Sequence, residues 1–170
     1  MSLTARYDAV VVGGGPAGSA AGSKLAAAGL RVAIIEKEKF PRFSIGESLL
    51  PHGNSLLKEL GVWERVESSG FMRKYGAEFC TADKSRLRRF WFAQNLGPAL
   101  EYTYQVERAK FDELLLENAR KSGCQVMEET KVLGVENPDT AKMEVLCEGR
   151  SGPFKIETGW IVDASGRSAF

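Results

Sequence analysis

Residues 7–36 read Tyr7-Asp-Ala-Val-Val-Val-Gly13-Gly-Gly15-Pro16-Ala17-Gly18-Ser-Ala-Ala-Gly22-Ser-Lys-Leu25-Ala-Ala-Ala28-Gly29-Leu-Arg31-Val-Ala-Ile-Ile-Glu36. The β-rich run from Tyr7 to Val12 ends abruptly in glycines, as a strand buried on both faces does. A helix follows. Pro16 suits its first turn, Gly18 and Gly22 lie four apart on one face, Leu25 and Ala28 continue the apolar side, and Gly29 is placed to stop it. Arg31 to Ile35 reads as a second buried strand, so residues 7–36 predict one β-α-β unit with a right-handed crossover.

Gly13-x-Gly15-x-x-Gly18 between strand and helix is the arrangement that a dinucleotide requires. Gly13 permits the tight turn, Gly15 lets a diphosphate approach the backbone, and Gly18 lets helix and strand pack closely. The helix start, with Pro16 and Ala17, offers unpaired amides and a partial positive charge to the phosphates. Glu36, ending the next strand, can accept both ribose hydroxyls, with Lys37 beside it. A carboxylate there repels the 2′-phosphate of NADP, which leaves FAD or NAD. The long excursion from Lys37 to Glu107 before the next strong helix favours FAD, because NAD domains move quickly to their third strand.

The chain has 170 residues, with 23 Lys+Arg against 22 Asp+Glu and a formal net charge of +1. That is ample for a core of its own, and nothing in the bulk charge draws it to nucleic acid or an acidic membrane. The longest uncharged stretch, Ala9 to Ser23, is too rich in glycine for a membrane span, and Arg6 and Asp8 precede it where a signal peptide would be apolar. A cytoplasmic location is expected. Cys80, Cys124 and Cys147 are odd in number and widely spaced, which matches neither a disulfide framework nor a metal-ligand set. They read as small core or surface residues.

Lys37 to Ser69 reads as loop and short helices. Strand-like runs at 77–81, 87–92 and 102–105 predict an antiparallel excursion, and Arg86-Leu-Arg-Arg-Phe-Trp-Phe92 reads as an alternating strand with one covered and one wet face. Residues 108–122 form an amphipathic helix stopped by Gly123. Gln125 to Met127 returns to a parallel sheet, 130–135, 142–147 and 153–157 suggest a meander, and Trp160 to Asp163 a last buried strand. The fold class expected is α/β: a GxGxxG-type doubly wound parallel sheet with a β-meander crossover and strands of a second, substrate-covering antiparallel sheet. Residues 1–170 are read as the N-terminal part of an FAD-binding domain within a larger enzyme, with 71–106 an excursion into the substrate-domain sheet and 107–170 the return.

The motifs Gly13-Gly-Gly-Pro-Ala-Gly-Ser19, Phe40-Pro-Arg-Phe-Ser-Ile-Gly-Glu-Ser-Leu-Leu-Pro51, Val106-Glu-Arg-Ala-Lys-Phe-Asp112 and Asp163-Ala-Ser-Gly166, in this order, closely resemble the flavin-dependent halogenase family, within the FAD monooxygenases of p-hydroxybenzoate hydroxylase fold. The resemblance implies FAD as cofactor. It places the diphosphate on Gly13, Gly15 and Gly18, the ribose on Glu36, Arg42 near the flavin or its phosphates, and Gly46, Glu47 and Ser48 in a loop beside the isoalloxazine ring. Arg108 would contact FAD from the start of its helix, and Asp163 from the turn after the last strand. Solvated or paired cations are the plain alternatives for Arg42 and Arg108, and a turn cap is that for Asp163.

The resemblance also implies a catalytic role for Lys74. Reduced FAD in that family reacts with O2 to a C4a-hydroperoxide, chloride attack gives hypochlorous acid, and a lysine holds the oxidant by hydrogen bonding or as a chloramine. Its alternative is a solvated basic face with Arg73, Lys84, Arg86, Arg88 and Arg89. His52 lacks an identified partner and reads as structural. The activity expected is halogenation or hydroxylation of a small organic molecule, with chloride and either a flavin reductase or NAD(P)H as partners. A flavin dehydrogenase or prenyl reductase on the same fold, and a non-catalytic dinucleotide module, stay open. The family's Trp-x-Trp-x-Ile-Pro signature falls after residue 170.

Overall fold

The computed structural model describes residues 3–97, 100–138, 140 and 142–167, with the side chains of Leu3 and Thr4 left out. Its elements run β1 (Leu3–Val12), α1 (Pro16–Ala27), β2 (Val32–Ile35), α2 (Gly53–Glu59), α3 (Trp63–Ser68), β3 (Met72–Lys74), β4 (Gly76–Cys80), β5 (Leu87–Trp91), α4 (Phe92–Leu96), β6 (Thr103–Gln105), α5 (Arg108–Lys121), β7 (Gln125–Met127), β8 (Lys131–Glu136), β9 (Met143–Gly149) and β10 (Gly152–Asp163). They divide into two compact units, one of residues 1–43 and 112–170, the other of residues 44–111.

The first unit is built on one six-stranded sheet in the order β7-β2-β1-β10-β9-β8. Neighbours from β7 to β10 are parallel, and β10-β9-β8 continue antiparallel. The expected α/β fold is present, with its dinucleotide β-α-β unit at the centre of the sheet. Strand β1 is apolar on both faces because both are covered. Val10 and Val12 join Ala33, Ile35, Val145 and Ile156 on one side, and Val11 joins Val32, Ile34, Leu116 and Ala119 on the other. Full burial of each such side chain contributes roughly 1.5–3 kcal/mol.

Strand β10 departs from expectation. The sequence suggests separate strands at 153–157 and 160–163. Instead one strand pairs antiparallel with β9 through Gly152 to Thr158 and parallel with β1 as far as Asp163. The Thr158 hydroxyl donates to the Trp160 carbonyl at 3.0 Å within the unbroken strand. The meander and the last sheet strand are therefore continuous. Trp160, expected to be buried, is 74% exposed, since no described element covers that position.

The second unit contains two short antiparallel pairs, β3-β6 and β4-β5. Strand β5 is exposed at every residue, so the one-sided burial expected of Arg86 to Phe92 is absent among the described residues. Phe92 leaves the strand altogether. It begins α4, buried, with its ring edge-on to Phe90. Around Tyr104 gather Trp63 and Tyr102, with centroids 5.7 and 5.8 Å away. No helix among the described residues is long and apolar enough to cross a membrane.

All three cysteines are free, and burial pushes the thiols of Cys124 and Cys147 up to about 11. The thiolate is the reactive form, so both are protonated as well as shielded at pH 8. A thiol reagent at that pH is expected to label Cys80 alone of the three until denaturant is added, as peptide mass spectrometry would read. Labelling of Cys147 in folded protein at the rate of Cys80 would contradict its place in β9.

Candidate functional site

In the first unit the glycine-rich turn is fixed by backbone contacts. Gly13 has φ +104°, and a Cβ there would lie 2.5 Å from the Ala164 carbonyl oxygen. At Gly18 a Cβ would stand 1.8 Å from the Gly13 carbonyl oxygen, so only glycine lets α1 approach its own turn. Gly15 differs from both. Its added Cβ would meet only Arg42 Nη2, at 3.4 Å, so this residue faces open space bordered by a cation.

Helix α1 starts beside that space with Gly15 as N-cap, no side-chain cap, Pro16 at its head and no acid in its first turn. A helix end left uncapped by its own side chains presents amides and a partial positive charge to an anion. Ala17 is exposed there, while Gly18 turns inward.

Arg42 is oriented by three neighbours of the same unit. Its Nη1 lies 3.6 Å from Asp112 Oδ2, its Nε lies 3.0 Å from Glu38 Oε2 without an aligned hydrogen bond, and its guanidinium lies 4.7 Å from the centre of the Phe40 ring. The Asp112 side chain is fully buried. Asp112 and Phe40 were not singled out from the sequence. The available signal was a carboxylate set among Phe111, Leu115, Leu116 and Ala119 on α5, since a charge in a buried stripe requires a partner.

Glu36 is 4% exposed, and both its carboxylate oxygens already accept backbone amides. Oε2 takes the Gly14 N–H at 2.7 Å, and Oε1 takes the Glu38 N–H at 2.8 Å. Each oxygen keeps a further lone pair for a hydroxyl donor. Lys37 is exposed. Asp163 ends β10 with Oδ1 accepting both the Ser165 amide, at 3.0 Å, and the Ser165 hydroxyl, at 2.6 Å. These bonds hold its carboxyl below the usual range and make it a turn cap as well as an available acceptor. An open glycine, an uncapped helix start, a held guanidinium and an acid with spare lone pairs fit the diphosphate and ribose of FAD.

The second unit holds the remaining residues. Arg108, opening α5, donates from Nη1 to the Ile45 carbonyl at 2.5 Å, and the same nitrogen lies 3.5 Å from the Gly46 oxygen. Gly46 has φ +106°, and Glu47 Oε2 accepts its amide at 3.3 Å. Lys74 Nζ donates to Ser48 Oγ at 2.5 Å and to the Leu49 carbonyl at 3.2 Å, and lies 5.4 Å from the centre of the Phe92 ring. The structure thus brings Lys74 to the 46–51 loop. His52 is exposed, and its carbonyl accepts the Ser55 hydroxyl. Among the described residues no contact gives its imidazole a chemical role.

Comparison with known proteins follows the same line. Residues 6–169 match the family model described as FAD binding domain. The chain is 35% identical over 178 residues to 1H-pyrrole-2-carbonyl-[peptidyl-carrier protein] chlorinase of Pseudomonas fluorescens, covering 95% of this chain and 40% of that protein. Among solved structures it resembles the myxobacterial chondrochloren halogenase CndH, with TM-score 0.90 and 35% identity over 98% of this chain and 38% of that one. It also resembles a flavoprotein/dehydrogenase from Cytophaga hutchinsonii, with TM-score 0.86 and 36% identity over 95% of this chain and 39% of that one. The chain therefore spans about two fifths of the proteins it matches.

Replacing Glu36 by Ala leaves two amides without their acceptor, at a cost of about 1–3 kcal/mol for the buried Gly14 donor and less for the part-buried Glu38 donor. Glu36→Ala should thus lower the denaturation midpoint even without flavin, and Glu36→Gln, which keeps one acceptor, should fall between. Parental stability in Glu36→Ala together with lost FAD affinity would show that the carboxylate serves the ribose alone.

Proposed function

This chain belongs to the FAD binding domain family, and from that premise we propose that it forms the cofactor-holding part of an FAD-dependent oxidoreductase that halogenates, or by a related path hydroxylates, a small organic substrate. The observation that carries the reading is Lys74: its ammonium is aimed at the 46–51 loop, the segment whose resemblance to halogenases is the most specific. The likeness to a chlorinase and to a halogenase structure supports the same reading.

When bound, reduced FAD supplies the activation of O2. Each protein group then has a distinct task. The amides at the start of α1 and the guanidinium of Arg42 bind the diphosphate along the open side of Gly15, where any larger residue would intrude. Glu36 accepts the ribose hydroxyls and excludes a 2′-phosphate. Asp163 adds an acceptor from the turn after β10. Gly46, Glu47 and Ser48 border the flavin ring, with Arg108 holding their loop by its carbonyls.

Lys74 Nζ donates hydrogen bonds to the oxygen of the halogenating species and orients it toward the substrate. A protonated amine suits that work, since a charged donor strengthens the bond to an electronegative oxygen. Chloride supplies the halogen, and a flavin reductase or NAD(P)H supplies the electrons. The substrate is a small molecule, either free or on a carrier protein as for the Pseudomonas fluorescens relative. Three free cysteines suit a reducing cytoplasm.

The likeness to a flavoprotein/dehydrogenase favours a second reading, in which the flavin passes hydride and Lys74 only braces the loop. Lys74→Ala separates the two. The full-length protein carrying it should retain FAD with unchanged absorbance and lose O2- and halide-dependent product, scored by mass spectrometry. Halogenation at the parental rate would end the role given to Lys74. Turnover confined to anaerobic conditions would support the dehydrogenase, and colourless protein that takes up no added FAD would exclude both.

A further inference from the structure

We propose that Ser48 is the positioning residue for Lys74, fixing its ammonium by a hydroxyl acceptor across the face of β6. The proposal rests on the reading of Lys74 as a group that takes part in the chemistry, and it gives Ser48 a task other than flavin contact.

Strand β6 has two occupied edges. On one, β3 pairs antiparallel, with Met72 opposite Gln105 and Lys74 opposite Thr103. On the other runs the loop: the Val106 amide donates to the Glu47 carbonyl at 2.8 Å, the Leu49 amide donates to the Tyr104 carbonyl at 3.1 Å, and Ser48 bridges to Gln105. Ser48 and Met72 thus stand opposite the same residue on opposite edges, and Lys74, two residues from Met72, shares its face. The lysine side chain spans β6 to bring Nζ within 2.5 Å of Ser48 Oγ.

Two of the three ammonium hydrogens are engaged, by Ser48 Oγ and by the Leu49 carbonyl at 3.2 Å, while the buried Phe92 ring borders the same group. The third has no partner among the described residues and is left to bond a reacting oxygen. A lysine left to itself has four flexible bonds and about 2 kcal/mol of rotamer entropy, so one distant carbonyl would not hold Nζ at a defined point. The shorter bond, to the hydroxyl, supplies the second coordinate. The Leu49 carbonyl persists whatever residue stands at 48, so substitution of Ser48 isolates the hydroxyl.

The test compares parent, Ser48→Ala, Ser48→Thr and Lys74→Ala in full-length protein loaded with FAD. Lys74 reactivity is read first, by reductive methylation and peptide mass spectrometry, with exposed Lys58 as the internal reference. Ser48→Ala should raise methylation of Lys74 and lower kcat for halide incorporation by about 10- to 100-fold, the usual effect of a small misplacement of a reacting group. Halide KM should stay at its parental value, and Ser48→Thr, which restores the hydroxyl, should recover both readouts.

Unchanged Lys74 reactivity with parental kcat in Ser48→Ala would overturn the proposal. A fall in kcat with Lys74 methylation left at the parental level would overturn it too, by tracing the loss to something other than the position of Lys74. If Lys74→Ala itself halogenates at the parental rate, the functional reading fails and takes the purpose of this contact with it. The methylation arm, which needs no turnover, distinguishes that failure from absence of the contact.

Discussion

Helix α1 can touch the turn that precedes it because residue 18 has no side chain. With the site of a Gly18 Cβ only 1.8 Å from the Gly13 carbonyl oxygen, the helix start lies directly on the end of β1. The turn is then tied to both neighbouring strands: the Gly13 amide donates to the Ile35 carbonyl at 2.8 Å, and the Ala164 amide donates to the Val12 carbonyl at 2.9 Å. Glu36 closes the arrangement through the Gly14 amide. A diphosphate bound there, as proposed above, would meet a backbone already shaped for it, without the ordering cost that weakens flexible sites.

The loop of the second unit is held on another principle. Ile45 and Leu50 are strongly exposed, so burial does not fix it. Its anchors are two cations from different elements. Arg108 of α5 donates to the Ile45 carbonyl, and Lys74 of β3 donates to Leu49, while β6 pairs with the stretch between them. The pairing with β6 uses backbone groups alone, the Val106 amide to the Glu47 carbonyl and the Leu49 amide to the Tyr104 carbonyl, so the path of that stretch survives changes in its side chains. The side chains are thereby left for function, as in many binding loops on rigid supports.

The β-α-β unit was legible because each of its signals is local. Strand, turn, helix start and terminal acid fall within 30 consecutive residues, and each obeys a rule of backbone geometry. Lys74 and Ser48 were legible one at a time, as members of motifs, whereas their bond was not: it exists because both residues flank β6, and no periodicity in the chain announces that register. The unbroken β10 was hidden for a related reason. Thr158-Gly159 carries the composition of a turn, yet Thr158 pairs with both Tyr7 of β1 and Met143 of β9 and the strand runs on. Phe92 misled in the same way, because its aromatic neighbours signal a strand while tertiary burial places it at the head of a helix.

Arg42 shows how charge near the turn is used. Glu38 and Asp112 both lie beside its guanidinium, so the cation adds little net positive charge to its surroundings. Its value is directional. Glu38 lies at Nε and Asp112 at Nη1, and Nη2 is the nitrogen nearest the open side of Gly15. A planar guanidinium with two positions constrained presents the third at a fixed angle, whereas a lysine would bring one rotating point charge. The Phe40 ring beneath it, 4.7 Å away, restricts tilt out of that plane. The buried carboxylate of Asp112 thus acts on the open space through the arginine it orients, which accounts for a charged residue on the apolar face of α5.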